Sequence, residues 1–532
     1  FRMRRWNGWG DTTTDYPLPE TAVPFLTARV GPGVPTPDAQ LADVVAYVPP
    51  SRLPAHSLIN QEPETRLRHA CGQSLPDWVA MRYGRFPAFP DGVAFPTTDS
   101  DVRDLIQYAI ANDVKLIPYG GGTSVVGHIN PQPGDAPVLT VDMGRLNQLR
   151  HFDRHSLLAT FGAGTPGPDV EAQLRAQGCT LGHYPQSFEL SSLGGWVVTR
   201  SSGQQSKGYG RIEDLFAGGT LESPAGSWTL LPHPASAAGP DLRQLVLGSE
   251  GRLGILTEAT VRARPLPESE EFHAVFFPDF ARGQTAVRQI IQAGVPISML
   301  RLSTATETTT TLALAGHERL IGGLETLLGL RGVDEEKAML LIGVTGSNGL
   351  VKMARKAAID AAKEFGGIHV GQTFGKQWVK GRFHTPYLRN TLWEMGYAVD
   401  TLETAVPWSN VDKTLADIEA ALHTAVADEG EKVHVFTHLS HVYPTGASIY
   451  TTFLFQLAAD PDVVLARWGK LKAAASTAVV ANQGTISHQH GVGTDHAPYL
   501  PAEKGELGMA VLQDTLRRFD PYGVMNPGKL VG

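Results

Sequence analysis

The chain has 532 residues, of which 42% are hydrophobic and 18% charged, and its formal net charge is −8. This length predicts two to four domains with large cores, and the acidic balance excludes the basic surface that is typical of nucleic-acid-binding proteins. Two cysteines, Cys71 and Cys179, exclude a disulfide scaffold and an iron–sulfur cluster and favour a reducing compartment. Because no apolar run is long enough for a transmembrane helix, we expect a cytoplasmic protein.

The N-terminal part, residues 1–86, is rich in proline. Closely spaced prolines between Pro17 and Pro37 exclude a long helix there. A short helix is predicted near Asp38–Tyr47 and a second over Leu75–Tyr83. We expect this part to form an arm that packs on the main body.

From residue 87 onwards, short apolar runs alternate with segments of helical spacing. The predicted strands are Gly92–Pro96, Leu116–Tyr119, Val138–Asp142 and Leu157–Gly162, and the predicted helices are Val102–Asn112, capped by Asp99 or Ser100, and Pro168–Gln177. This alternation indicates a mixed fold of helices and strands. The pattern G-x-G-x-x-G does not open any of the helices, so a Rossmann nicotinamide site is not supported.

The most distinctive stretch is P-Y-G-G-G-T-S at Pro118–Ser124, directly after a predicted strand. Three consecutive glycines weaken any helix or strand interior, so the run must serve another purpose. Successive N–H groups in such a turn can form an anion-binding nest, which favours a cradle for a diphosphate. A flexible surface turn is the alternative, and this stretch alone does not decide between the two.

Two further segments have a similar character. Gln186–Gly203 is rich in serine and glycine and includes one fixed cation, Arg200. Hydroxyl and free N–H groups at this density suit phosphate and ribityl oxygens, although ordinary surface loops have a similar composition. Gly248–Val261, with the sequence G-S-E-G-R-L-G-I-L-T-E-A-T-V, is a third glycine-rich turn that leads into a β-branched strand.

In this order, the three segments resemble the FAD-binding domain of the vanillyl-alcohol oxidase/PCMH superfamily. The resemblance implies an α+β protein, with a PCMH-type FAD-binding domain of two α/β subdomains and an α+β cap domain built on an antiparallel sheet. Covalent linkage of FAD uses a His or Cys in this superfamily, and only His128 lies near the diphosphate loop, so we expect non-covalent FAD. The residues implied to bind FAD are Pro118, Tyr119, Gly120, Gly121, Gly122, Thr123, Ser124, Gln186, Ser187, Phe188, Glu189, Leu190, Ser191, Ser192, Thr199, Arg200, Ser201, Ser202, Glu250, Gly251, Arg252, Leu253, Gly254, Ile255 and Leu256.

The predicted domain organisation follows from this resemblance. The arm covers residues 1–86, the FAD-binding domain 87–268 and the cap, which binds substrate, 269–515; residues 516–532 return to the FAD-binding domain. In the cap, helices are predicted over Gly283–Ala293 and Gly349–Phe365, and strands over Met339–Val344, Val433–Phe436 and Ile449–Phe455, with a loop or helix start at Thr304–Thr311.

The motifs resemble one branch of the superfamily more closely, the alkyldihydroxyacetonephosphate synthases (alkylglycerone-phosphate synthases). R-W-N-G-W-G at Arg5–Gly10, G-G-W-V-V-T-R-S-S-G at Gly194–Gly203 and Y-G-R-I-E-D-L at Tyr209–Leu215 carry this resemblance. It implies an FAD-dependent transferase of ether-lipid synthesis, which exchanges the acyl group of acyl-dihydroxyacetone phosphate for a long-chain alcohol without net redox change. It also implies a homodimer and a peripheral membrane contact.

The cap contains the candidate chemistry. His488 and His490, separated by Gln489, lie at i and i+2 and face the same side of an extended chain. Imidazole titrates near neutrality and suits proton transfer, although a structural pair of histidines is the alternative. A zinc site would need further ligands from the set His434, His438 and His441. We expect the first two and the third to face opposite sides of a strand, and we therefore predict no metal.

The synthase resemblance adds three residues to this set. Tyr450, in A-S-I-Y, corresponds to the family's catalytic tyrosine, and Arg389, in P-Y-L-R, to the arginine that binds the substrate phosphate. Arg301, in S-M-L-R-L, corresponds to an arginine important for activity. Gln489 departs from the family's run of three histidines.

A second reaction class remains open. D-P-Y-G-V-M-N-P-G-K-L at Asp520–Leu530 and the H-G-V-G motif also resemble FAD-linked D-2-hydroxy-acid dehydrogenases or oxidases. In such an enzyme, which would act on lactate or glycolate, His490 would be the base and an arginine would bind the carboxylate. A flavin-binding protein without catalysis is disfavoured because His, Tyr and Arg candidates occur together.

Overall fold

In the computed structural model of the protein, residues 4–315 and 318–531 are described. The helices are, in chain order, α1 Ala22–Val30, α2 Leu41–Ala46, α3 Pro63–Arg68, α4 Leu75–Tyr83, α5 Asp99–Asn112, α6 Gly167–Arg175, α7 Leu193–Thr199, α8 Ser206–Tyr209, α9 Ile212–Leu215, α10 Arg243–Val246, α11 Phe280–Gln292, α12 Ala305–Ala315, α13 Glu318–Gly329, α14 Asn348–Glu364, α15 Thr373–Gly381, α16 Leu388–Glu394, α17 Val411–Thr424, α18 Pro461–Ala481 and α19 Leu500–Phe519. Within the described residues, no helix is both long and apolar enough to cross a membrane.

The strands form separate sheets. They are β1 Ile59–Asn60, β2 Gly92–Ala94, β3 Lys115–Tyr119, β4 Val138–Asp142, β5 Leu149–Asp153, β6 Leu158–Gly162, β7 Cys179–Thr180, β8 Phe216–Ser223, β9 Gly226–Leu230, β10 Ile255–Arg262, β11 Arg264–Pro265, β12 Ser269–Phe277, β13 Met299–Ser303, β14 Ala338–Gly346, β15 Ile368–His369, β16 Tyr397–Pro407, β17 His434–Tyr443 and β18 Gly446–Gln456.

The first sheet has the order β1-β2-β4-β3, with β2, β4 and β3 parallel. Its apolar side chains pack against α5, as the continuous apolar runs of β3 and β4 predict for strands covered by a helix. The helix begins at Asp99, three residues earlier than predicted, because its cap is Thr98 and not Asp99 or Ser100, and Thr98 accepts a hydrogen bond from the N–H of Asp101. The end of β3 delivers the chain into the triple-glycine loop.

The second sheet has the order β5-β6-β10-β8-β9 and is antiparallel throughout. It shares a core with α6 and α7 and with the C-terminal helix α19, whose Leu500 and Leu516 are buried there. The predicted domain boundary at 515/516 lies inside α19, which runs continuously across it. The chain then returns to the first sheet, where the N–H of Leu116 donates to the carbonyl of Val524.

The cap is built on one large antiparallel sheet with the order β15-β12-β14-β13-β17-β18-β16. Every neighbouring pair in it is antiparallel, which confirms the predicted sheet type. Helices α11 and α14 pack on it through buried aliphatic side chains. The threonine-rich stretch at 304–311 starts helix α12, one of the two alternatives expected for it.

The N-terminal arm is anchored through tryptophans. Trp9 is buried in a cluster with Trp78 of α4 and Trp393 of α16. The amide side chain of Asn390 accepts from the N–H of Trp9 and donates to its carbonyl, so the arm is held at both backbone groups. The arm therefore packs against the cap as well as against the first sheet.

Candidate active site

The three segments predicted to bind FAD meet in the structure. A Cβ placed on Gly120 would lie 2.1 Å from Oγ of Ser192, and a Cβ on Gly121 would lie 1.8 Å from the carbonyl oxygen of Leu190. The third segment contacts both others, since Gly251 packs on Pro118 and Gly248 on the side chain of Arg200. Only glycine allows these approaches, which explains the residue type at each position.

A cavity of about 370 Å³ lies beside the first two of these segments. Gly120, Gly121, Gly164 and Ser192 form part of its wall, and the arginines of the arm and of α3 line it as well. Arg4 approaches the glycine loop directly, with Nη2 3.5 Å from the carbonyl oxygen of Gly122. Glycine N–H groups, hydroxyls and arginines form a donor set that suits a diphosphate, so the residues present fit FAD.

Many of the predicted FAD-binding hydroxyls also have partners within the protein. The contacts are Ser124 Oγ to His128 Nδ1 at 2.8 Å, Trp196 Nε1 to Ser191 Oγ at 2.7 Å, Thr199 Oγ1 to the carbonyl of Gly195 at 2.8 Å, Ser201 Oγ to His183 Nε2 at 2.7 Å and Ser202 Oγ to Ser206 Oγ at 3.2 Å. Arg200, the fixed cation of the second segment, donates through Nη2 to Glu213 at 2.9 Å. These side chains are therefore held in fixed positions.

The remaining predicted FAD-binding side chains have mixed surroundings. The ring of Phe188 stacks on Phe383, and the carboxylate of Glu189 accepts from the Tyr387 hydroxyl. Gln186 and Ser187 lie in the turn before α7, and Thr123 lies beside Ser124 in the first loop. The third segment then enters β10, where Leu253, Ile255 and Leu256 are buried. Arg252 donates to the carbonyls of Lys529 and Val531, and Gly254 packs against the carbonyl of Glu222.

Glu250 connects the FAD segments to the H-G-V-G motif of the cap. Its carboxylate accepts the N–H groups of Val492 at 2.6 Å and Gly493 at 2.8 Å. On the other side, the N–H of Thr494 donates to the carbonyl of Val126, directly after the triple-glycine loop. The H-G-V-G turn is thus bound to two of the FAD segments, which places the histidines before it at the domain interface.

A second buried carboxylate, Glu403 on β16, holds the His-Gln-His segment itself. It accepts the N–H groups of Gln489 at 3.0 Å and His490 at 2.9 Å, and the Ser487 hydroxyl at 2.9 Å. It also lies 3.3 Å from Nδ1 of His490. Sequence analysis missed this residue. Its only local mark is a carboxylate within a strand that is largely buried, and a charge is costly to bury without partners.

Tyr450 and His490 lie in contact, with ring centroids 5.7 Å apart. Burial raises the pKa of Tyr450 to about 12, and its hydroxyl donates to Thr401 Oγ1 at 3.2 Å. Burial also lowers the pKa of His490, which the charge of Glu403 partly offsets. At neutral pH the phenol therefore carries its proton and the imidazole can accept one.

Arg301 is linked to Tyr450 through a histidine. Its guanidinium is paired with the buried carboxylate of Glu307, and Nη2 lies 3.2 Å from Nδ1 of His438. The ring of His438 stacks on Tyr450, its cross-strand partner, with centroids 5.0 Å apart. Arg301 thus lies behind the tyrosine, and its contacts support the tyrosine ring.

Arg389 lies close enough to Tyr450 for its charge to act on the phenol. Its guanidinium packs 4.5 Å above the Trp78 ring and donates to the carbonyls of Gln73 at 2.6 Å and Val399 at 3.4 Å. Burial lowers the pKa of this arginine, which indicates a desolvated cation. Such a cation would be stabilised by an anionic ligand.

Two more charged groups near the histidines were missed by sequence analysis. Lys472 of α18 is buried and donates to the carbonyl of Thr401, the residue that also accepts from Tyr450. Asp495 follows the H-G-V-G motif, and burial raises its pKa to about 6. Lys472 lies on a helix of mostly apolar residues. The sequence alone does not show which face of this helix is buried, so it does not show that Lys472 is buried either.

His488 contacts side chains of both the FAD-binding domain and the cap. Its Nε2 is 2.6 Å from Arg211 Nη1 and 2.6 Å from the Tyr443 hydroxyl, and its ring packs on His441 with centroids 4.9 Å apart. The expectation that His441 faces away from His438 was wrong. A bulge between Leu439 and Val442 interrupts the alternation of β17 and turns His441 towards the same side.

Comparison with known families fits this geometry. Residues 90–230 match the family described as FAD binding domain, and residues 266–530 match the C-terminal domain of FAD linked oxidases. An alkyldihydroxyacetonephosphate synthase of Dictyostelium discoideum is 29% identical, with 100% of this chain and 94% of the relative covered. A solved structure of an alkyldihydroxyacetonephosphate synthase superposes with a TM-score of 0.85 at 28% identity and covers 98% of each chain.

This chain is therefore a flavoprotein that is similar over its full length to the alkyldihydroxyacetonephosphate synthases. A D-lactate dehydrogenase of Saccharomyces cerevisiae is also similar, at 27% identity, but it covers only 83% of this chain and 72% of its own length. The family assignment confirms FAD as the cofactor of this flavoprotein, and it confirms the predicted α+β fold with a PCMH-type domain.

Proposed function

We propose that this flavoprotein exchanges the acyl group of acyl-dihydroxyacetone phosphate for a long-chain alcohol, as an alkylglycerone-phosphate synthase. The observation that carries the proposal is the contact between Tyr450 and His490, at 5.7 Å between ring centroids, beside the desolvated guanidinium of Arg389. These groups supply a proton donor, a proton acceptor and a cation for a phosphate. The synthase relative also aligns over the whole chain, including the arm.

The proton transfers follow from the two pKa shifts. The exchange breaks the bond between the substrate carbon and the acyl oxygen, and the fatty acid leaves as a carboxylate. The alcohol oxygen forms the new bond to this carbon and loses its proton, which the neutral ring of His490 would accept. Tyr450, whose pKa is raised to about 12, would keep its proton and donate a hydrogen bond to a substrate oxygen.

The FAD would be held by the glycine loop after β3, by the serine-rich turn before α7 and by the turn before β10. Bound there, its flavin ring would supply the group that carries the substrate carbon during the exchange. Arg389 would bind the substrate phosphate through the donors that its two backbone contacts leave free, and Trp78 would keep its plane fixed. Arg301 and Glu307 would position His438 and, through it, the ring of Tyr450.

We also propose that the FAD is not covalently bound. His128, the histidine that follows the diphosphate loop in the chain, has Nδ1 2.8 Å from Oγ of Ser124, its Nε2 is buried next to the Glu250 carboxylate at 3.1 Å, and it does not line the cavity beside the glycine loop. Acid precipitation should therefore release all flavin into the supernatant. Flavin that stays with the precipitated chain would contradict this.

The family resemblance further supports a cytoplasmic homodimer with a peripheral membrane contact. Both cysteines are free and buried, as in a reducing compartment. Leu507 and Val511 are exposed one turn apart on α19, at 78% and 57%, and offer an apolar edge for a lipid surface. Light scattering would test the dimer. Flotation with phosphatidylcholine vesicles would test the contact, and a Leu507→Ser/Val511→Ser variant should float less.

The decisive experiment compares two reactions. With palmitoyl-dihydroxyacetone phosphate and hexadecanol, the holoenzyme should form the ether and release palmitate. With D-lactate or glycolate under anaerobic conditions, the flavin absorbance should not bleach. Bleaching without ether formation would instead support the alternative reaction of a D-2-hydroxy-acid dehydrogenase, the class that the H-G-V-G motif also resembles and that includes the D-lactate dehydrogenase relative.

A variant sharpens this test. Tyr450→Phe keeps the ring that stacks on His438 and removes only the hydroxyl. Ether formation should fall by about 10²-fold or more, the usual effect of losing a positioned acid or base. Tyr397→Phe is the matched control, because it removes a tyrosine hydroxyl that bonds the carbonyl of Gly31 in the arm. Equal activities of the two variants would exclude Tyr450 from the reaction.

A further inference from the structure

The two histidines of the His-Gln-His segment have different partners on their ring nitrogens. At His488, Arg211 Nη1 lies 2.6 Å from Nε2, and Arg211 Nη2 donates to the backbone carbonyl of the same residue at 2.7 Å. A guanidinium has only donors and keeps its proton at every working pH. Nε2 must therefore present its lone pair, so a neutral His488 carries its proton on Nδ1.

The surroundings keep this ring neutral. Burial lowers the pKa of His488 well below its usual value, Arg211 and the rings of His441 and His490 act in the same direction, and the side chain of Gln489 acts against them as a hydrogen-bonding group. Tyr443 faces Nε2 as well, at 2.6 Å, and burial raises the pKa of its phenol. The Nδ1 atom of His488 and the amide oxygen of Gln489 are both buried, and neither has a hydrogen-bond partner of good geometry among the described residues. The Nδ1 proton can therefore be donated to the Gln489 amide oxygen or to a bound oxygen.

At His490 the facing group is an acceptor instead of a donor, and it faces the other ring nitrogen. Its Nδ1 lies 3.3 Å from the buried carboxylate of Glu403, which can only accept when ionised. The proton of a neutral His490 is therefore favoured on Nδ1, next to Glu403, and Nε2 keeps the lone pair. Since no arginine in the described residues donates to His490, this nitrogen can act as a base.

We propose that Arg211 is a positioning residue, which fixes His488 as a hydrogen-bond donor through Nδ1 and leaves His490 as the only proton acceptor of the pair. The oxygen that receives this bond would be a carbonyl or carboxylate oxygen of the substrate. The role in turnover rests on the proposed function, but the position of the proton does not. Arg211 stands at the variable place of the Y-G-x-I-E-D-L motif, so the family resemblance did not point to it.

The position of the proton can be measured directly. In the FAD-bound protein labelled with ¹⁵N-histidine, His488 is assigned by its loss in His488→Gln. We expect the shifts of a neutral ring protonated on Nδ1, unchanged between about pH 6 and 8. Arg211→Met, which removes the donors and keeps the stem, should move the proton to Nε2. A wild-type proton on Nε2, or an unchanged tautomer in Arg211→Met, would overturn the proposal.

Turnover gives an independent readout. Arg211→Met should lower kcat for ether formation by about tenfold or more, and Arg211→Lys, which restores one donor, should recover part of it. Because the charge of the arginine no longer opposes protonation, the pKa of His488 should rise in Arg211→Met while burial still holds it below its usual value, and the acid limb of the pH profile should move to higher pH. An unchanged limb together with a lower kcat would indicate a structural role only and overturn the proposal.

A control variant and a second substitution separate the effect on the tautomer from a general loss of structure. Arg262→Met is the matched control, because Arg262 donates to the carbonyls of Asp214 and Phe216 and does not bond His488. If Arg211→Met does not fold, the tautomer is read from Arg211→Lys, which should keep the wild-type proton position. If the wild-type protein forms no ether but shows the Nδ1 proton, the proposed function fails and the inference about Arg211 stands.

Discussion

Nδ1 of His490 lies 3.3 Å from Oε1 of Glu403, a carboxylate 87 residues earlier in the chain whose side chain is wholly buried. The same carboxylate accepts the N–H groups of Gln489 and His490 and the hydroxyl of Ser487. One charge therefore fixes both the backbone path of the turn and the orientation of the imidazole. An ionised carboxylate suits this role because all of its hydrogen-bonding sites are acceptors.

Glu403→Gln tests this relationship. The amide would place an NH₂ group against N–H donors, so we expect a loss of about 2–4 kcal/mol in the free energy of unfolding. Ether formation should fall as well, because His490 loses its partner. Urea denaturation and a turnover assay measure the two effects. Glu64→Gln, at an exposed position on α3, is the control and should stay within about 0.5 kcal/mol of wild type. A Glu403→Gln protein as stable and active as this control would contradict the argument.

Gly121→Ala tests the contact between the first two FAD segments. The new Cβ would lie 1.8 Å from the carbonyl oxygen of Leu190, so the loops must separate. We expect the purified protein to contain much less flavin per chain and to unfold at lower urea concentration. Gly469→Ala, inside α18 with nothing within 4 Å of the new Cβ, is the matched control and should be stabilised by up to about 1 kcal/mol. Full flavin content in Gly121→Ala would show that the loop does not bind the cofactor.

Sequence alone predicted the elements whose patterns are local. The strands β3 and β4 are continuous apolar runs that end at glycine or aspartate, and α4 begins and ends where its apolar stripe does. The triple glycine was also a reliable marker, because its backbone contacts exclude every larger residue. The cap sheet followed from the family resemblance and from its β-branched runs.

The parts that sequence did not predict depend on distant partners. No local pattern relates Glu403 to His490, or Arg211 to a histidine 277 residues later. The bulge in β17 also lacks a glycine or proline to mark it, so the face of His441 was assigned wrongly. Only the contact of Arg211 with His488 joins the FAD-binding domain to the cap, while the other two features form within the cap between segments that are distant in sequence.

Buried histidines should make the protein sensitive to acid. Burial lowers the pKa of His183, His441 and His496 to about 3 and that of His434 to about 4. In the unfolded chain these rings bind protons near about pH 6.5, so the unfolded state takes up more protons below that value. The free energy of unfolding should therefore fall as the pH drops from about 6.5 towards 3–4. Each ring should lower it by about 1.4 kcal/mol by about pH 5.5.

Urea midpoints at several pH values measure this dependence. His434→Gln should show a shallower decline than wild type, because the amide can still bond Thr310 but cannot titrate. His233→Gln, at an exposed position of the chain, serves as the control. A wild-type stability that stays constant down to about pH 5 would contradict the prediction.

Arg389→Lys distinguishes the two reactions at the substrate cation. Lysine keeps the charge but loses the planar group that packs over Trp78 and donates to the carbonyls of Gln73 and Val399. If Arg389 binds the phosphate, KM for acyl-dihydroxyacetone phosphate should rise by about 10- to 100-fold, while KM for the alcohol stays unchanged. Arg382→Lys is the matched control, since Arg382 packs 4.6 Å above the Tyr184 ring and is likewise desolvated. It should lower stability without a selective change in either KM. An Arg389→Lys enzyme that keeps its KM for the phosphate substrate would exclude Arg389 from phosphate binding. If the same variant also lost bleaching of the flavin by D-lactate, Arg389 would instead bind the carboxylate of a hydroxy acid.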